Sequence, residues 1–204
     1  MKIVTKEIAG FISALDGMRN PMNSWELGDS YMETYDRCII GPKDMDLAQR
    51  LIKAGPEHCK FLRQIQVWVD FNMPLYWWSE FDTYKFNTKN SCSTMHKLLN
   101  AKKGIELSDF VYDKLDRQDI EKIIIKLNEL RDRYLETKDY NYVIRAKKLL
   151  PTSYKQLRTV NTNYAELRSI YFQRKNHRLK EEWQDVFCKW VESLPYAKEL
   201  IIFK

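Results

Sequence analysis

The chain has 204 residues, 44% of them hydrophobic and 30% charged, the balance of a globular protein and not of a disordered one. At this length roughly 70% of the unfolded surface is buried on folding, so no disulfide or metal staple is required. The net charge of +6 is spread along the whole sequence, a weak pointer to phosphate-bearing or other polyanionic partners.

Cys38, Cys59, Cys92 and Cys188 are widely separated and form no CxxC pair, which predicts reduced thiols in a cytoplasmic protein. His58, His96 and His177 lack the spacing that pairs zinc ligands, so no metal is expected. The longest apolar stretches, such as Ile123 to Ile125, are far too short to span a bilayer, and no membrane partner is expected. Aromatic residues make up 13% of the chain, enough to fill a core and to stack on bases or flavin rings.

Asn20-Pro21 reads as a turn, and the first fifty residues carry no functional assignment. Gly41-Pro42 introduces a helix from Lys43 to Ala54 with Met45, Leu47, Leu51 and Ile52 as its stripe, and Gly55-Pro56 stops it. Ile65, Val67, Val69 and Phe71 then alternate with polar or amphipathic residues, a half-buried strand. Pro74 suits the start of a helix through Leu75-Tyr76-Trp77-Trp78. The polar stretch from Thr83 to Thr94 lacks hydrophobic anchors and is expected to line a cleft or loop. Asp119 is the expected N-cap of a helix from Ile120 to Thr137, and a second helix near Tyr142 ends at Leu150-Pro151. After a short extended piece, Ala165 to Arg174 and Leu179 to Ser193 read as two more helices. The fold class expected is α+β: one helix-dominated domain over residues 1–204 with a small antiparallel sheet.

Two segments suit anion binding. Thr83 to Thr94 gathers two lysines, several hydroxyls and two asparagine amides within twelve residues, although a polar surface loop has the same composition. The second runs from Lys147 through Pro151 and Asn163 to Arg174 and Arg178. The last two are four apart and share a face if one helix carries both. Asn163 equally suits a helix cap, and Arg174 a solvated charge.

In order and spacing these segments resemble the flavin-dependent thymidylate synthases. That family runs from a strand to a proline, an aromatic helix, and a signature of Arg-His-Arg, two residues, Ser, any, Asn-Glu, any, Ser, any, Arg. The signature falls without a gap on Thr83 to Met95: Asn90 and Ser93 match, Lys85 replaces the third basic residue and Thr88 the first serine. Further on, Lys147 precedes Leu150-Pro151, Asn163 opens a helix, and Leu167, Arg174, Glu182 and Leu194-Pro195 fall at family positions. The likeness covers about Lys53 to Ile201. It departs at Thr83 and Tyr84 (Arg and His in the family), Ser91 (Glu), Met95 (Arg) and Ala165 (Arg). Each lost arginine removes a bidentate phosphate grip, about 1.5–3 kcal/mol per charged hydrogen bond.

The resemblance implies FAD as cofactor, with NADPH and methylenetetrahydrofolate as cosubstrates, and reductive methylation of dUMP to dTMP in a homotetramer. It implies that Ser93, Lys147 and Arg174 hold the pyrimidine nucleotide and that Lys85, Asn90, Asn163 and Arg178 face the flavin. No catalytic residue is assigned. Two other readings stand beside it: a protein of this fold that binds a nucleotide or nucleic acid without making dTMP, and a ligand-free helical interaction protein.

Overall fold

The computed structural model describes residues 1–100 and 103–204. In chain order the elements are β1 (Lys2–Ala9), α1 (Phe11–Arg19), the short strands β2 (Tyr31–Met32) and β3 (Cys38–Ile39), and α2 (Pro42–Ala54). β4 (Gln66–Pro74), α3 (Leu75–Phe81), β5 (Thr88–Ser91), α4 (Thr94–Lys97), α5 (Arg117–Thr137) and α6 (Asn141–Leu149) follow. The chain closes with β6 (Lys155–Asn163), α7 (Tyr164–Arg174), a π-wound segment Lys180–Cys188 running into α8 (Lys189–Glu192), and a second π-wound piece Ala197–Ile201. Four strands form one sheet in the order β1-β4-β6-β5, while β2 and β3 pair antiparallel on their own. This is the expected helix-rich α+β class with a small antiparallel sheet. No described helix is long and apolar enough to cross a membrane.

The chain divides into two compact units. One comprises Met1–Lys2, Phe71–Thr83 and Asn90–Arg158; the other Ile3–Asp70, Tyr84–Lys89 and Thr159–Lys204. In the first, Trp77, Trp78 and Phe81 of α3 pack with Phe71 at centroid separations of 4.8–6.1 Å, mostly edge to face. The Arg158 guanidinium lies 4.2 Å from the Trp78 ring and donates to both Asp82 oxygens at 3.0 and 3.2 Å. Ile120, Leu127 and Leu130 of α5 bury against Val143 and Ala146 of α6, with Leu98, Leu99, Ile105 and Phe110 completing that core. α5 begins three residues earlier than its apolar stripe indicates. Asp116 occupies the N-cap and Asp119 lies in the first turn, because the Asp113 carboxylate already folds Leu115 and Asp116 into a turn.

In the second unit, Phe11 of α1 packs edge to face on Tyr164 and Trp183 packs on Phe187, while Leu15 and Leu167 are buried as well. Arg19 and Asp44 form a buried ion pair at 2.6 Å, and Asp44 also accepts from Ser30 Oγ at 2.6 Å and from the Asp29 and Ser30 amides. Asp29 in turn accepts from the Lys43 and Asp44 amides at the start of α2. Gly41 is required there, since a side chain would overlap Asp29.

Candidate functional site

The second unit holds the segment Tyr84 to Lys89, and α7 anchors it. Asn163 caps α7, its Oδ1 accepting from the Glu166 amide at 3.0 Å, while its Nδ2 donates to the Phe86 carbonyl at 3.3 Å. The Glu166 carboxylate, 5% exposed, accepts from the Phe86 amide at 2.8 Å, Asn87 Nδ2 at 2.9 Å and Thr162 Oγ1 at 2.7 Å. Three donors to one buried carboxylate offset its desolvation and fix the segment's backbone. At the far end of α7, Arg174 Nε donates to the Tyr84 hydroxyl at 2.7 Å. Its guanidinium lies 4.6 Å from the Trp183 ring and 5.5 Å from the Tyr84 ring, a cation held between two aromatic faces.

The first unit contains a pocket of about 290 Å³ between α4, residues 103–109 and the start of β6. Ser93, Thr94, Lys97, Lys103, Asp109, Tyr154, Lys155 and Gln156 are among its lining residues, three lysines against one carboxylate. Its wall is set by the backbone. The Cys92 amide donates to the Leu157 carbonyl at 2.9 Å, and Gln156 Nε2 donates to the Cys92 carbonyl at 2.7 Å. Ser93 caps α4 by accepting from the His96 amide at 3.3 Å, and its hydroxyl retains a hydrogen to donate. Burial raises the Tyr154 hydroxyl above its ordinary pKa, and Asp109 and Cys92 add to the shift, so it stays a neutral donor. The cavity is largely apolar, with Leu98, Ile105 and Leu157 in its wall, and its lysines and hydroxyls are the groups that suit the oxygens of a phosphate.

Of the residues picked out in the sequence, Ser93 lines this pocket, whereas Lys147, in the last turn of α6 in the same unit, is exposed and not among its lining residues. Asn90 is exposed on β5. In the second unit Asn163 and Arg174 hold opposite ends of the Tyr84–Asn87 segment, which carries exposed Lys85. Arg178 does not share a helical face with Arg174: α7 ends at Arg174, Lys175 takes the C-cap, and Arg178 lies in the bend beyond, exposed. The Thr83–Thr94 stretch is no simple loop either, since it contains β5 and the first residue of α4. Glu166, Tyr154 and Gln156 are not among the residues singled out in the sequence, and Tyr84 stands there only as a departure from the signature. For Glu166 a signal existed, the Asn-x-x-Glu spacing of a helix N-terminus.

No family model matches the sequence, and no curated protein sequence matches it. Among solved structures the likeness is extensive. A crystal structure of thymidylate synthase X from Helicobacter pylori with FAD and dUMP superimposes with a TM-score of 0.76 at 18% identity, covering 98% of this chain and 97% of that one. A second structure of the same enzyme, described as the flavin-dependent thymidylate synthase complexed with FAD and dUMP, gives a TM-score of 0.74 at 18% identity, over 100% and 98% of the two chains. The chain therefore has the fold of flavin-dependent thymidylate synthase along its whole length.

Proposed function

We propose that this chain binds FAD and a pyrimidine nucleotide and catalyses the reductive methylation of dUMP to dTMP, with methylenetetrahydrofolate as carbon donor and NADPH as reductant. The observation that carries this reading is the end-to-end likeness to a protein crystallised with both FAD and dUMP. The lysine-lined pocket at Ser93 adds to it, because it has the donors a nucleotide phosphate needs.

The residues present suit a flavin dinucleotide. Lys85 and Lys89 lie on the anchored segment, within reach along the chain of the hydroxyl of Thr88. Asn161 Nδ2, on β6 of the same unit, is a buried donor with no hydrogen-bond partner among the described residues, the kind of group a ligand oxygen satisfies. In this reading Lys85 and Lys89 neutralise the pyrophosphate, Asn163 acts through the segment it anchors, and Asn90 and Arg178 lie at the periphery. Ser93 donates to the nucleotide phosphate, with Arg174 and Lys147 supplying positive charge. Bound FAD supplies the hydride chemistry. The protein's part is to orient the ring and nucleotide and to neutralise phosphate charge. Assembly into a homotetramer is part of the same reading.

A second reading, nucleotide binding without dTMP synthesis, is favoured by one contact. Tyr84, standing where the family has histidine, donates and accepts at the Arg174–Gln173 end of α7 and so occupies Arg174 Nε. Purified protein incubated with dUMP, FAD, methylenetetrahydrofolate and NADPH decides between them: dTMP formation is the expected result. Retained FAD and dUMP affinity with no dTMP establishes the second reading.

A further inference from the structure

Phe86 is 69% exposed, yet it is among the most firmly tethered residues of its segment. Single exposed apolar side chains are ordinary on protein surfaces. Phe86 differs because both of its peptide groups are held by buried side chains: its amide by Glu166 at 2.8 Å and its carbonyl by Asn163 at 3.3 Å. Those two residues are only 5% and 8% exposed, so the ring is presented on a backbone that cannot swing away. The Arg63 guanidinium lies over the ring at 5.4 Å from its centroid, which leaves the other face as the one a planar group would cover. The next residue adds an unmet acceptor. Asn87 Nδ2 points at the Glu166 carboxylate, which can only accept, so the amide orientation is fixed, and Asn87 Oδ1 is buried with no hydrogen-bond partner among the described residues. Lys85 and Lys89 lie on the same short segment.

We propose that Phe86 is a stacking platform for the isoalloxazine ring of a flavin dinucleotide, with the lysines of its segment serving the pyrophosphate. The proposal rests on the FAD reading above and deepens it by naming a residue at an unspecified position of the signature as the one that positions the ring. An aromatic face pinned at its backbone and backed by a guanidinium loses little freedom when a ring stacks on it.

The test is calorimetric titration of the full chain and of three variants, Phe86→Ala, Phe86→Leu and Phe86→Trp, with FAD, with dUMP and with a ten-residue thymidine oligonucleotide. Phe86→Ala is expected to weaken FAD binding on the order of tenfold, the scale of one lost stacking contact. Phe86→Leu, which keeps apolar bulk without a π face, is expected to behave like the alanine variant, and Phe86→Trp to restore FAD affinity. Binding of dUMP alone stays unchanged in all three. Equal FAD affinity in wild type and Phe86→Leu overturns the stacking role while leaving the FAD reading intact. Loss of dUMP or oligonucleotide affinity in place of FAD affinity overturns it in favour of a base platform. A wild type with no FAD affinity removes the FAD reading itself, and the platform with it.

Discussion

Arg174 is the residue of the proposed nucleotide site with the most closely defined surroundings. Its guanidinium is set between Tyr84 and Trp183, and a cation so oriented loses less freedom on meeting a phosphate than a solvated one. Arg174→Ala is expected to lower dUMP affinity at least tenfold in calorimetry, the loss of about one charge-assisted hydrogen bond, without unfolding the protein. Unchanged affinity removes Arg174 from the site. Asp44 makes a contrasting case, because its role is structural. Burial raises its carboxyl pKa, but hydrogen bonds from Ser30 and the Asp29 amide, with Arg19 beside it, outweigh burial and hold it below the ordinary carboxylate value. A depressed pKa contributes stability that is full above the unfolded value of about 3.9 and is lost as pH falls through the folded value. Asp44→Ala strands Arg19 in the interior and is expected to cost about 3–5 kcal/mol at neutral pH. Its denaturation midpoint should also fall less steeply than wild type's below about pH 4. A midpoint within error of wild type at neutral pH contradicts this assignment.

At the scale of elements, legibility followed burial. β4 alternates fully buried Val67, Val69, Phe71 and Met73 with half-buried neighbours, and its sequence alternates in the same way. α5 was legible for the same reason, its stripe being the face that meets α6. Leu127→Ala, at the centre of that contact, should destabilise the protein by about 2–5 kcal/mol in urea unfolding. A change below about 1 kcal/mol argues that the hairpin core is not packed as described. β5 has only Thr88, Lys89, Asn90 and Ser91, polar and mostly exposed, so no periodicity marks it as a strand. The π winding of Lys180–Cys188 was equally hidden, since it is a change of hydrogen-bond register and leaves the apolar residues helically spaced. Asn163 was readable as a cap, but its second bond, to Phe86 seventy-seven residues earlier in the chain, was not. Asn163→Ala should therefore exceed a simple cap loss of about 0.5–2 kcal/mol, because it also releases the Phe86 carbonyl. Chemical denaturation measures it, and a loss no larger than that of a simple cap would mean the carbonyl bond contributes nothing.

At the scale of the whole molecule, the likeness is one of fold and not of marked residues. Identity to the two solved structures is 18%, while coverage is nearly complete on both sides. The order of proline, aromatic helix, polar signature, Leu-Pro and asparagine-led helix carried the likeness, because these positions set chain direction and helix starts. The charged residues that grip ligands in the family are free to change without disturbing that frame. Ser93 and Arg174 match the family pattern in sequence, whereas Thr83, Tyr84 and Met95 differ from its arginine and histidine positions. The most direct test is the visible absorption spectrum of the purified protein, recorded after loading with FAD and removal of the unbound fraction, and again after adding dUMP. Flavin bands that persist and shift on addition of dUMP are the predicted result. A protein that is colourless after FAD loading contradicts the account.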